Sequence, residues 1–316
     1  MEKLCIYICM ALLFAGCAKE KTPSECDTLY DVYKPTGFTN GQSYTVMDST
    51  QFVYGSINPN DPNEVVYYGG KHPNWHMYVY NVSTKQRTKV SDHSPTHNIK
   101  WHRSGWICYA TTDNNIYIVK PNGDSLRQLT VTGDCFTPEW NALGDKIICY
   151  RGYQGFTDGN NYIINKFTGI VSPINLTIGG VGTCSWSPND SIIISAPWTD
   201  VRCINYYTGE EKNVPNMKSP KTDISGVCWM PDGKRILWCP ESQPEILNFE
   251  TGHSQALLSA CDKMEYTYPS VTADGRYALF NLNIGGYVGY NTTQTKRRLS
   301  RIDLTTNTET ILELPE

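Results

Sequence analysis

The sequence lacks most of the short patterns that mark a catalytic site. It has no H-E-x-x-H pair for zinc, no G-x-S-x-G elbow for a nucleophilic serine and no C-x-x-C for redox or metal chemistry. Charged residues make up only 18% of the chain and the formal net charge is −4. That balance leaves no basic stripe to follow a phosphate backbone, so nucleic acid is excluded as a partner. No apolar run is long enough to cross a bilayer as a helix. The apolar runs elsewhere are short and broken by 25 Gly and 18 Pro, which argues against helices.

What the chain has instead is tyrosine and tryptophan, 21 and 8 residues, as suits many short strands. It also has a repeat. V-C-W-M-P-D-G, ending at Gly233, joins a strand to a tight turn in which Pro pre-sets φ and Gly accepts the left-handed conformation. Aligned on Trp229, the pattern recurs at Ile57, Trp101, Trp140, Trp186 and Val271, with spacings of 44, 39, 46, 43 and 42 residues along the chain. A second register runs in phase with it: Asn122-Gly123, Thr168-Gly169, Thr208-Gly209, Thr251-Gly252 and Thr306-Asn307 each precede a last strand, as Ser83-Thr84-Lys85 does in the first unit. A period of about 40–45 residues with four strands per unit is the pattern of a propeller blade. The expectation is an all-β, six-bladed β-propeller of four-stranded antiparallel blades in one domain. In the fourth unit the strands are expected at residues 182–186, 191–196, 201–207 and 210–214.

The anchors W-S-P-N-D at Trp186 and W-M-P-D-G at Trp229 resemble the W-S-P-D-G repeat of the TolB-type, WD40-like propellers, and the resemblance covers residues 51–316. It implies the fold. Such blades occur in periplasmic scaffolds, in accessory domains of peptidases and in some polysaccharide lyases, so the fold does not choose a function.

Residues 1–16 read as a targeting segment, with Lys3 ahead of an apolar run at residues 4–15. Phe14-Ala15-Gly16-Cys17 resembles a bacterial lipobox, which implies acylation of Cys17 and an anchored rather than a spanning protein. By resemblance to enterobacterial sorting, the absence of Asp at position 18 favours the outer membrane. Residues 17–42 form a polar tether with a short apolar patch, and residues 43–316 the propeller, with an extra strand candidate at 43–46. Of the cysteines left in the mature chain, Cys108, Cys149, Cys184, Cys228 and Cys239 read as small buried residues. Cys26, Cys135 and Cys261 fall in expected loops and are open to pairing.

Length variation points to a binding face. From anchor to second register the units run 28, 22, 29, 23, 23 and 36 residues, and the excess falls between the second and third strands. In a propeller those loops share one face of the disc with the connections between blades, while the tight turns occupy the other. Insertions gathered on one face mark it as the binding face. Unit six brings Tyr287 and Tyr290 among glycines, and unit one brings His72, Trp75 and His76 within residues 69–76. These two units are neighbours in a closed ring. Trp75, Tyr287 and Tyr290 are the expected stacking surfaces, with His72 and His97 at the rim and Tyr153 and Trp198 from units three and four. The other reading of each ring is that it packs its own loop.

Four histidines, His72, His76, His93 and His97, are expected on this face, and His102 in a turn on the other. Their spacing is not that of a metal site, so no metal and no cofactor is assigned. The reading is a lipid-anchored envelope propeller that binds a protein or glycan without catalysis. Two alternatives stay open. One is a metal-assisted, lyase-like enzyme on polysaccharide, which requires those four histidines to converge. The other is a structural subunit of an envelope complex.

Overall fold

The structure, a computed structural model, describes residues 54–71, 74–96, 98–152, 160–174, 183–196, 201–212, 214–215, 224–258, 264–284 and 296–315. Cys17, the tether and the strand candidate at 43–46 lie outside these residues.

Blade one consists of β1 (Tyr54–Asn58), β2 (Asp61–Lys71), β3 (Asn74–Asn81) and β4 (Arg87–Ser91). Blade two has β5 (Lys100–Trp101), β6 (Ile107–Ala110), β7 (Ile116–Val119) and β8 (Arg127–Gln128). Blade three has β9 (Cys135–Trp140), β10 (Lys146–Arg151), β11 (Asn160–Asn165) and β12 (Val171–Pro173). Blade four has β13 (Thr183–Trp186), β14 (Ile192–Ala196), β15 (Arg202–Asn205) and β16 (Glu211–Lys212). Blade five has β17 (Ile224–Trp229), β18 (Arg235–Pro240), β19 (Glu245–Asn248) and β20 (Ser254–Ala256). Blade six has β21 (Met264–Val271), β22 (Tyr277–Ile284), β23 (Lys296–Asp303) and β24 (Thr308–Leu312).

Each blade is a four-stranded antiparallel meander, and no helix occurs among the described residues. The expected strands of unit four stand one or two residues shorter at their ends.

Every anchor falls at or next to the end of its blade's first strand and pairs with the same place on the second. Trp101 faces Ile107, Trp140 faces Ile147, Trp186 faces Ile193 and Trp229 faces Ile236. Ile57 and Val271 face Val65 and Ala278 in the same way. The first strands approach one another in a closed circuit, β1 beside β5, then β9, β13, β17, β21 and back to β1, so they line the axis.

Both faces of each sheet are covered, and the buried apolar side chains divide into six clusters, one at each junction between blades. The junction of blades six and one is packed by Ile57, Val65, Leu279 and Leu299. No strand is exchanged across that seam among the described residues, since all four strands of blade six come from the last unit; packing and hydrogen bonds such as Gly55 N–H to Asn281 Oδ1 at 2.9 Å join it. The four anchor tryptophans are buried at 5–6% exposure.

Polar side chains fix the turns that the repeat marks. After the third strand of blades one, three, four and five, the Oδ1 of Asn81, Asn165, Asn205 or Asn248 accepts two backbone N–H groups of the following turn, and in blade six Asp303 accepts that of Thr305. Between blades, Asp190 accepts from Asn141 Nδ2 at 2.9 Å and from the N–H groups of Ala142 and Leu143. His102 sits in its expected turn, buried, 3.1 Å from the carbonyl of Ala142. A Cβ on Gly144 would fall 2.3 Å from the His102 ring, so the turn tolerates no side chain there.

Two expectations need correcting. Residues 69–76 are not a free loop: Gly69 pairs with His76, Gly70 with Trp75 and Lys71 with Asn74, so the insertion lengthens β2 and β3 into a hairpin. Cys135 lies not in a loop but buried in β9. Cys108, Cys149, Cys184 and Cys239 are buried free thiols and Cys228 a partly buried one.

Candidate functional site: the axial mouth on the insertion-bearing face

In four blades the backbone turns through positive φ at one level, in the first strand or just ahead of it. Three residues before the anchor, Asn98, Thr137, Gly226 and Tyr268 have φ of 52°, 46°, 151° and 50°. In blades three, five and six the pairing with the second strand slips at this level, as a bulge does. Positive φ at a residue with a side chain costs on the order of 1–3 kcal/mol, and such residues gather where function re-aims a side chain. Gly226 is required by close approach as well: a Cβ there would lie 2.6 Å from Pro269 Cδ and 2.8 Å from the backbone nitrogen of Tyr268.

Just inside the bulges lies a polar layer formed by the residues immediately before each anchor: Ser56, Lys100, Glu139, Ser185, Cys228 and Ser270. The three serines accept the anchor N–H of the next blade, Trp101 to Ser56 at 3.3 Å, Trp229 to Ser185 at 2.9 Å and Ile57 to Ser270 at 3.1 Å. Lys100 and Glu139 do something else. Lys100 Nζ lies 2.8 Å from Glu139 Oε2 in blade three and donates at 3.2 Å to the carbonyl of Pro269 in blade six. The ammonium therefore links blade two to blades three and six.

Both charges are nearly inaccessible, with side chains 7% and 14% exposed. Burial raises the Glu139 carboxyl, with Lys100 opposing. Burial also works against the Lys100 ammonium, which Glu139 nonetheless holds above its ordinary value. Above this layer, Asn98 is buried and its Nδ2 has no hydrogen-bond partner among the described residues.

At the seam of blades six and one, the ring of Tyr268 meets Tyr54 edge-on at 5.6 Å. Arg297 donates from Nη1 to the Tyr54 hydroxyl at 2.9 Å, with its guanidinium 5.0 Å from that ring's centre. Burial pushes the Tyr268 phenol well above its ordinary value.

Of the ligand contacts expected from the sequence, Trp75 alone is described; His72, His97, Tyr153, Trp198, Tyr287 and Tyr290 lie outside the described residues. Trp75 is half-buried near the start of β3, its ring edge-on to Tyr68 at 5.5 Å, on the blade-two side of blade one. His76 Nδ1 lies 3.4 Å from Asp92, which also pairs with Lys89. His93 meets the Tyr117 ring at 4.8 Å. Among the described residues no three metal-ligating side chains come together.

Sequence reasoning missed Tyr54, Tyr268, Arg297 and the Lys100–Glu139 pair. The pair carried a readable signal, since two charged residues occupy a column that is otherwise Ser or Cys.

No protein-family model and no curated protein matches the sequence. Solved structures do. TolB from Acinetobacter baumannii superposes with a TM-score of 0.54 at 17% identity, over 84% of this chain and 69% of that one. A putative TolB from Agrobacterium tumefaciens gives 0.61 at 12% identity, over 75% and 87%. An oligogalacturonate lyase from Vibrio parahaemolyticus gives 0.53 at 12% identity, over 82% and 78%. At these identities the likeness is one of fold: a TolB-like, six-bladed propeller.

Proposed function

We propose that this TolB-like propeller is a non-catalytic binding protein, held on an envelope membrane through acylated Cys17, that takes a protein partner at its axial mouth on the insertion-bearing face. One observation carries the reading: positive-φ residues at one level of four blades, three of them with slipped pairing, surround a buried charge pair and an aromatic–arginine group at the mouth of the axis. Strain that several blades maintain at one level, on the face where two hairpins are lengthened, is the mark of a prepared surface. A protein partner is favoured because similar propellers include one from the mitotic checkpoint complex and two TolB structures. Trp75, Tyr287 and Tyr290 supply stacking surfaces at the edge of this mouth, with His72 and His97 as polar contacts and Tyr153 and Trp198 beyond them.

The deciding experiment is capture from native envelopes, with proteins and glycans both identified. A variant with Trp75, Tyr287 and Tyr290 all changed to Ala is expected to lose capture and keep its melting temperature. Undiminished capture by that variant overturns the site. Capture of glycan alone would favour the lyase-like alternative, which likeness to a manganese-bound oligogalacturonate lyase keeps in view. Labelled palmitate is expected to enter wild type and not Cys17→Ser.

A further inference from the structure

Exposed apolar side chains do not gather where the insertions are. Of the six exposed large apolar side chains among the described residues, five, Leu126, Leu143, Phe167, Ile170 and Tyr207, lie at or beside the tight turns of blades two to four, on the opposite face, and only Val131 lies in a connection between blades. Within this surface a cleft of about 470 Å³ opens between blades two and three, lined by Trp106, Ser125, Leu126, Arg127, Lys166 and Phe167.

Lys166 departs from the repeat. The first residue after the Asn or Asp that ends the third strand is Val82 in blade one, Tyr206 in blade four, Phe249 in blade five and Leu304 in blade six. Their equivalence with Lys166 is geometric, because all five donate their backbone N–H to a carbonyl at or just before the start of the second strand, at Asn63, Asp145, Ser191, Lys234 and Arg276. In blades four and five this side chain packs on the anchor tryptophan, Tyr206 at 4.9 Å from Trp186 and Phe249 at 4.6 Å from Trp229. Blade three places an ammonium there, 5.5 Å from the Trp140 ring, 4.8 Å from Trp106 and 5.6 Å from Phe167. The fold asks for an apolar residue and the sequence supplies a cation.

That cation is not alone. Lys120 Nζ lies 4.4 Å over the Trp106 ring, and Arg127 lines the cleft. None of the three makes an ion pair among the described residues. Asp145, whose charge reaches Lys166, is held by Lys146 at 2.9 Å and by Asn141 at 2.7 Å. Burial first, then Lys120 and Arg127, holds the Lys166 ammonium below the ordinary lysine range. Three cations around one cleft in a chain of net charge −4 attract an anion.

We propose that this cleft is a second binding site, which receives an acidic segment of a partner polypeptide, its carboxylates on Lys166, Lys120 and Arg127 and its aliphatic or aromatic side chains on Phe167 and Leu126. An acidic glycan fits less well: both lysines lie over the Trp106 ring that a sugar would stack on, and the flanking surface is apolar side chain. The site is on the turn face, so it stands or falls apart from the axial mouth.

The test uses the mature chain and a fluorescein-labelled peptide of repeated Glu-Leu-Asp-Phe, read by anisotropy, beside the same peptide with Gln and Asn for the acids and beside oligogalacturonate. The acidic peptide is expected to bind, with affinity falling as salt rises from about 50 to about 500 mM. Lys166→Leu, which restores the residue type of blade six, is expected to weaken binding by about tenfold or more while keeping or raising the melting temperature. Equal binding by Lys166→Leu overturns the proposal, as does equal binding of the neutral peptide or preference for oligogalacturonate. A lower melting temperature for Lys166→Leu would show the ammonium to be structural and would also overturn it. Concentration-dependent sedimentation that Lys166→Leu abolishes would assign the cleft to a second copy of this chain and overturn it as well.

Discussion

The two faces of the disc are built differently. On one, short turns repeat with equivalent residues in equivalent roles, an Asn or Asp closing the turn after the third strand in five blades, while Asp190 and His102 clasp one blade to the next. On the other, strands lengthen into hairpins and pairing slips between first and second strands. Regularity holds the ring together, and irregularity costs free energy that stability alone does not ask for. The same contrast extends to single positions, since Lys166 marks a site on the regular face by breaking its pattern.

The largest effect should come from the layer between the faces. Removing one member of a buried ion pair strands the other charge, so Lys100→Met is expected to cost about 3–5 kcal/mol, and Lys100→Met with Glu139→Leu much less. Chemical denaturation of the two variants and wild type reads this directly, and equal loss in single and double variants would show that the pair is not coupled. Comparable in size is the anchor itself: Trp229 is 5% exposed against Phe249 and the core of blades four and five, so Trp229→Ala should lose about 3–5 kcal/mol. A variant that melts like wild type would break the repeat register.

Smaller effects separate the faces. Asn248 supports one turn through two hydrogen bonds, so Asn248→Ala should cost about 1 kcal/mol, and the same change at Asn165 or Asn205 a similar amount. The triple change on the insertion-bearing face should move stability by only a few tenths, which calorimetry compares on one scale.

The pH response belongs to the regular face. Burial first holds the His102 imidazole below its ordinary value of 6.5, while its bond to the Ala142 carbonyl opposes. A group whose folded pKa is depressed contributes stability that is present above its unfolded value and is lost as pH falls. Melting temperature should therefore decline below about pH 6.5, and His102→Gln should flatten that decline. An unchanged slope in the variant would assign the acid response to carboxylates.

Much of the fold was legible because the anchor pattern recurs once per blade and each copy is buried or half-buried at a junction, so chance is averaged away over six instances. The asparagines of the turns were equally visible and went unread, because only the Thr-Gly that follows them was followed. The insertion of unit one was expected as a loop from its extra length alone, yet added residues between two paired strands extend their ladder when the partner strand lies alongside. The charge pair went unread for another reason: Lys100 and Glu139 stand out only when the column before the anchors is compared blade by blade, and their contact across two blades is not local in sequence.

By itself, the sequence determined the number of blades, the place of each anchor and the chemistry of the turns, because those depend on residues close along the chain and repeated. Tertiary structure alone decided which residues meet across the axis and between blades. Lys100 finds Glu139 in the next blade and the Pro269 carbonyl far along the chain, Tyr54 finds Tyr268 and Arg297 where the ring closes, and Lys166 comes to stand beside Trp106. These contacts follow from closing six sheets into one circuit, a constraint that no local stretch of sequence carries.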